Sequence, residues 1–110
     1  MKLLVPVLML TLGALGTARA DEPIGNSQAS ALFSQYGCQA CHSVYTSTSS
    51  GPSFSAIAKE YSSDASAIDY LQSSVLNGSS GVFGDSAMPG TDVPSGDLRA
   101  MINWILQLQL

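Results

Sequence analysis

Cys38, Gln39, Ala40, Cys41 and His42 form C-x-x-C-H, which holds both cysteines and the single histidine of the 110-residue sequence. Two thiols separated by two residues fit on one tight turn, with the next side chain carrying an imidazole beside them. That set suits covalent attachment of a c-type haem, in which the thiols add across the two vinyl groups and the imidazole reaches the iron. A C-x-x-C pair is also compatible with a thioredoxin-like redox dithiol, half of a zinc site, or a plain disulfide. Zinc would need two more ligands, and carboxylates would make a poor structural set. A redox dithiol of the thioredoxin kind would stand in a βαβ pattern, and none is visible.

A six-coordinate haem needs a second ligand opposite the histidine, and thioether sulfur is the usual remaining choice when no other imidazole is present. Met1 and Met9 fall in the N-terminal segment, and Met101 falls within an apolar helical stripe, where a core role fits it. Met88 stands between Ala87 and Pro89 in a stretch too rich in breakers for a helix. The proline restricts the backbone there, so a side chain can be presented with little freedom to swing. A loop methionine covering an apolar gap is the bland alternative. A phenolate from Tyr36, Tyr45, Tyr61 or Tyr70 is conceivable, and nothing favours it.

The elements that must position these groups read as short helices. Residues 21–26 contain Pro23 and Gly25 and look frayed. Ser27 is the expected cap of a helix to about Tyr36, with Ala29, Leu32, Phe33 and Tyr36 at helical spacing and Gly37 ending it. After His42 a Ser/Thr/Tyr loop runs to Gly51-Pro52. A second helix is expected over 53–61, with Phe54, Ile57, Ala58 and Tyr61 on one face. Asp64 or Ser66 caps a third, with Ile68, Leu71 and Val75 in phase, stopping at Asn77-Gly78. Residues 78–94 form a long loop, a feature usually tied to function. Ser95 is the expected cap of a last helix, buried through Leu98, Met101, Ile102 and Ile105. No alternation suggests a strand, so the domain reads as all-α.

Residues 1–20 have the form of a cleaved export signal. Lys2 precedes an apolar run from Leu3 to Gly16, and Ala18-Arg19-Ala20 supplies an A-x-A cleavage site. The run is short for a membrane span, which takes about 20 apolar residues; an uncleaved anchor is the alternative. Two segments are expected: a Sec signal peptide over 1–20 and one monohaem domain over 21–110, located in the periplasm. A chain this small buries limited surface, and small exported domains commonly add a disulfide, metal or cofactor. A disulfide within C-x-x-C closes too short a loop to help much.

Beyond residue 20 the only cations are Lys59 and Arg99, against eight carboxylates, and two against eight gives −6. Such a chain is not expected to bind nucleic acid. A redox partner with a basic docking face is favoured, although acidity can also serve solubility alone. A monomer with no stable membrane insertion is expected.

The ordered pieces L-F-S-Q-Y-G-C-Q-A-C-H at 32–42, G-P-S-F at 51–54, L-N-G-S-S-G-V-F-G at 76–84 and A-M-P-G at 87–90, followed by a helix with Trp104, resemble the small bacterial class I cytochromes c. The resemblance implies four or five short helices wrapped around one covalently bound haem. It implies thioether attachment at Cys38 and Cys41, with His42 and Met88 as the iron ligands. The Pro52 carbonyl would accept the other imidazole N–H of His42, and Phe33 and Trp104 would join the first and last helices. The implied function is a periplasmic one-electron carrier between a redox donor and acceptor, not an enzyme. Alternatives are a haem c subunit docked to a redox enzyme, or a five-coordinate gas-binding protein if Met88 were loose. Two positions depart from the pattern. Phe83 stands where relatives often carry Trp, and it has no donor for a propionate. Gly90 and Thr91 follow Met88 where relatives often place an amide side chain.

Overall fold

The computed structural model describes residues 23–108. The expected export signal over 1–20 and its expected cleavage site lie outside the described residues. Four helices follow one another: α1 (Asn26–Gln35), α2 (Phe54–Tyr61), α3 (Ala67–Asn77) and α4 (Ser95–Leu106). A 3₁₀ turn over Cys38–Ala40 sits between α1 and α2. No strand is present among the described residues; two isolated antiparallel bridges occur, Thr48 with Gly51 and Ser79 with Met88.

Two helix starts differ from the expected caps. α1 begins two residues early, capped at Gly25 rather than at Ser27. The Gly25 N–H donates to Gln28 Oε1 at 3.1 Å, so the glutamine three positions in satisfies the cap residue's own N–H. α4 starts at Ser95 with Pro94 in the cap position. Pro94 can accept through its carbonyl without owing an N–H, and that carbonyl takes the Leu98 N–H at 2.9 Å. The other two starts follow the sequence. Ser53 caps α2, its Oγ accepting the Ala56 N–H at 3.0 Å. Ser66 precedes α3, while Asp64 Oδ1 accepts from the Ser66 N–H at 2.9 Å and the Ser66 hydroxyl at 2.7 Å. Those two donors hold the Asp64 carboxyl below the usual range.

The core forms where the stripe of α4 meets the other three helices. Leu98, Met101, Ile102 and Ile105 of α4 are buried with Ala29 and Phe33 of α1 and with Phe54 and Ala58 of α2. Phe33 stacks on Phe54 with ring centroids 4.4 Å apart, and the edge of Trp104 meets Phe33 at 5.5 Å. Trp104 also donates its indole N–H to Asn26 Oδ1 at 3.0 Å, which ties the last helix to the first turn of α1. Aromatic packing at such distances adds about 0.5–1.5 kcal/mol per pair beyond area burial. α1 and α4 are also joined by the Tyr36 hydroxyl, which donates to Asp97 Oδ2 at 2.6 Å. That carboxylate raises the Tyr36 pKa above its ordinary 10.0, with burial adding to the effect.

Candidate cofactor site

The attachment motif sits on a reversal that follows directly from its residues. α1 ends at Gln35, and Gly37 adopts φ of 74°, in the left-handed region that costs glycine nothing. The chain then tightens into the 3₁₀ turn, where the Cys38 carbonyl accepts from the Cys41 N–H at 3.3 Å and the His42 N–H at 3.0 Å. Cys38 is partly buried and Cys41 is exposed. Burial pushes the Cys38 thiol pKa upward.

His42 is the most constrained of the candidate groups. Its Nδ1 lies 2.7 Å from the Pro52 carbonyl oxygen. A carbonyl can only accept, so Nδ1 carries the proton and Nε2 keeps its lone pair, the tautomer a metal ligand needs. The imidazole lies nearly parallel to the Phe54 ring, at 19° and 5.5 Å. Gly51 leaves room for this arrangement, since a Cβ there would stand 2.9 Å from the Cys41 carbonyl and 3.1 Å from His42 Cε1. The segment after the histidine is pinned by the next helix. The first N–H groups of α2, from Phe54 and Ser55, donate to the carbonyls of Ser43 and Val44, both at 2.9 Å.

Met88 is held differently. Its backbone N–H donates to the Ser79 carbonyl at 2.7 Å and its carbonyl accepts the Ser79 N–H at 3.0 Å. Thr91 N–H reaches the Val75 carbonyl at 2.7 Å, so the loop closes back onto the end of α3. Gly78 permits the close approach: it has φ of +83°, and a Cβ there would lie 2.7 Å from the Met88 carbonyl. Residues 80–87 between these ties are exposed, and Ser86 Oγ reaches across to the Ser49 carbonyl at 2.5 Å.

Cys38, Cys41, His42, Pro52 and Met88 all line one cavity of about 430 Å³. Its walls are mostly apolar: Phe33, Phe54, Ile57, Leu71 and Val75, with the α4 residues Leu98, Met101, Ile102 and Ile105 behind them. Met101 therefore faces the same cavity as Met88, from within a packed helix and at 2 % exposure. Two thiols, an imidazole with a free Nε2 and a thioether around an apolar slot fit a covalently attached haem. Among the described residues there is no cluster of three or more His, Cys, Asp or Glu able to hold a bare metal ion, which disfavours the zinc alternative.

Three positioning features were not read from the sequence. The Phe54 ring against His42 and the Ser43 and Val44 carbonyls under α2 are tertiary contacts with no local signature. The Tyr36–Asp97 hydrogen bond joins residues 61 apart in the sequence. Gly-Pro at 51–52 and Asn-Gly at 77–78 mark breaks in the sequence, and the space requirement at Gly51 and Gly78 comes from tertiary contacts.

The model for the family described as Cytochrome c matches residues 27–109. A cytochrome c-551 of Stutzerimonas stutzeri is 35 % identical over 108 residues, covering 98 % of this chain and 98 % of that protein. A cytochrome c-552 of Hydrogenobacter thermophilus is 31 % identical over 103 residues, covering 94 % of this chain and 96 % of its own. The crystal structure of wild-type Nitrosomonas europaea cytochrome c552 superposes with a TM-score of 0.68 at 37 % identity, spanning 73 % of this chain and 99 % of that one. The chain belongs to the cytochrome c family, small electron carriers that bind haem c covalently.

Proposed function

We propose that the protein is a periplasmic one-electron carrier whose haem is attached through Cys38 and Cys41 and ligated by His42 and Met88. Bound haem c supplies a one-electron iron couple. The observation that carries the reading is the convergence of both thiols, His42 and Met88 on one apolar cavity, with His42 Nδ1 committed to Pro52. That commitment leaves Nε2 as the free nitrogen, and the Phe54 ring limits its rotation. Apolar side chains from α1, α2, α3 and α4 line the slot. With His42 and Met88 as its ligands, the iron would be favoured in the reduced state relative to two nitrogen ligands.

Export with cleavage after Ala20 gives a mature chain of residues 21–110. No helix among the described residues is long and apolar enough to cross a membrane. The carrier acts as a monomer between a donor and an acceptor, and its net charge of −6 beyond residue 20 draws partners with a basic face. Electrons enter and leave at the rim formed by Gln39, Ala40 and the loop around Ala87–Gly90, through brief contacts at the small end of interface sizes. Absorption of the haem-loaded protein tests the reading. It should show six-coordinate low-spin c-type bands with a weak far-red ferric band from sulfur ligation. A high-spin spectrum without that band would overturn the ligand assignment.

A further inference from the structure

The only buried polar side chain among the described residues is Ser53, at 3 % exposure. It follows Pro52, whose carbonyl oxygen lies 2.7 Å from His42 Nδ1. A hydroxyl has one proton and two lone pairs, and here all three are used. Ser53 Oγ accepts from the Ala56 N–H at 3.0 Å and from the Ser47 hydroxyl at 3.3 Å. Its own proton is then left for Ser55 Oγ at 2.9 Å. Ser47 is bound twice to the same residue, because its Oγ also accepts the Ser53 backbone N–H at 2.9 Å. Ser47 itself stands in the exposed loop between His42 and Pro52, with its hydroxyl engaged on the buried serine.

The Ser53 N–H and the Pro52 carbonyl belong to one peptide unit. No peptide bond among the described residues is cis, so the two groups point in opposite directions across a rigid plane. One end of that plane meets the imidazole and the other end meets Ser47. Holding the N–H therefore holds the acceptor of His42. A hydrogen bond at the N–H also polarises the amide and makes its oxygen a stronger acceptor, by about 10–30 % per bond in such a chain. Building on the His42 ligation proposed above, we infer that Ser47 is a positioning residue for His42. Acting through the 52–53 peptide, it sets the strength of the Nδ1 hydrogen bond and so the electron donation of Nε2. A stronger Nδ1 bond gives the ring more anionic character, which favours ferric over ferrous iron. Removing the Ser47 hydroxyl should raise the potential. Ser55 supplies the contrast, since its side chain meets Ser53 Oγ and not the peptide N–H.

Haem-loaded protein, expressed as the full chain, is compared as wild type, Ser47→Ala, Ser47→Thr and Ser55→Ala. Redox titration followed by absorption gives the midpoint, and proton NMR of the ferrous form gives the His42 ring signals. At the wild-type midpoint, Ser47→Ala should show about a two- to threefold higher ratio of reduced to oxidised protein, which is about 18–28 mV at 59 mV per tenfold. Its Nδ1 proton should move upfield and exchange faster with deuterium. Ser47→Thr keeps a hydroxyl and should restore both values. Ser55→Ala should leave both at the wild-type values, with any loss confined to thermal stability. An unchanged or lowered potential in Ser47→Ala, a failure of Ser47→Thr to restore it, or equal shifts in Ser55→Ala would overturn the inference. Ligation by His42 is read separately, from ring protons of the wild type displaced far upfield by the haem. Their absence would sink the ligand assignment itself, before any variant is compared.

Discussion

On one side of the cavity His42 is fixed from four directions: the Pro52 carbonyl, the Phe54 ring, the space left by Gly51, and backbone bonds from Ser43 and Val44 into α2. On the other side Met88 depends on a bridge to Ser79, a close approach by Gly78 and one surface bond between Ser86 and Ser49. The first wall is continuous with the core, since Phe54 also stacks on Phe33. The second is a loop with exposed residues on both sides of its ties. The difference teaches that one proposed ligand position is set by folding itself, whereas the other is set by a loop that can change while the helices stay.

Substitutions can break or sharpen this contrast. The largest effect should come from Phe54→Ala, which removes a core ring and the surface under His42 together. A loss of about 3–5 kcal/mol in stability is expected, read by guanidinium denaturation of the haem-loaded protein. A loss below about 1 kcal/mol would show that the histidine wall does not depend on the core. Gly78→Ala forces a side chain into positive φ against the Met88 carbonyl and should cost about 1–3 kcal/mol. Its spectrum should lose far-red intensity while helical circular dichroism is kept. A normal band with reduced helicity would reverse the assignment of that loop.

Tyr36→Phe tests the tie that holds the attachment segment to α4, with a pH signature. The Tyr36 pKa is raised in the folded state, so its contribution is complete below pH 10.0 and is lost as pH climbs through the raised value. Tyrosinate could no longer donate and would repel Asp97. Thermal melts should therefore show the wild type ahead of the variant at neutral pH, with the two converging in strong alkali. A gap that does not depend on pH would remove the hydrogen bond as its cause. Ser86→Ala should be the mildest change, below about 1 kcal/mol, and should appear as faster hydrogen exchange in residues 80–87. Unaltered exchange there would mean that the Ser49–Ser86 bond carries no strain between the loops.

The helices and the attachment motif were legible because their signals are local. Periodic apolar residues marked α2, α3 and α4, and Gly37 and Asn77-Gly78 marked the ends of α1 and α3. The caps at Gly25 and Pro94 were missed because Gln28 reaches back to the first helix and a proline carbonyl serves the second, and Ser27 and Ser95 were stronger sequence cues than either. Met88 stood out by its place in a loop rich in glycine and proline. Nothing in the sequence showed that Met101 faces the same cavity, since a helical stripe gives burial without saying what is buried against it. The clamp on His42 was equally silent, because its partners come from Ser43, Val44 and Phe54 through the fold.

The contrast between the two walls is decided most directly by the far-red band in Met88→Ala and Met101→Leu, each loaded with haem. Met88→Ala should lose the band and bind carbon monoxide while keeping its helical circular dichroism, and Met101→Leu should keep the band and exclude the gas. A band that persists in Met88→Ala and disappears in Met101→Leu would contradict the account, placing the second ligand in the core helix and not on the loop.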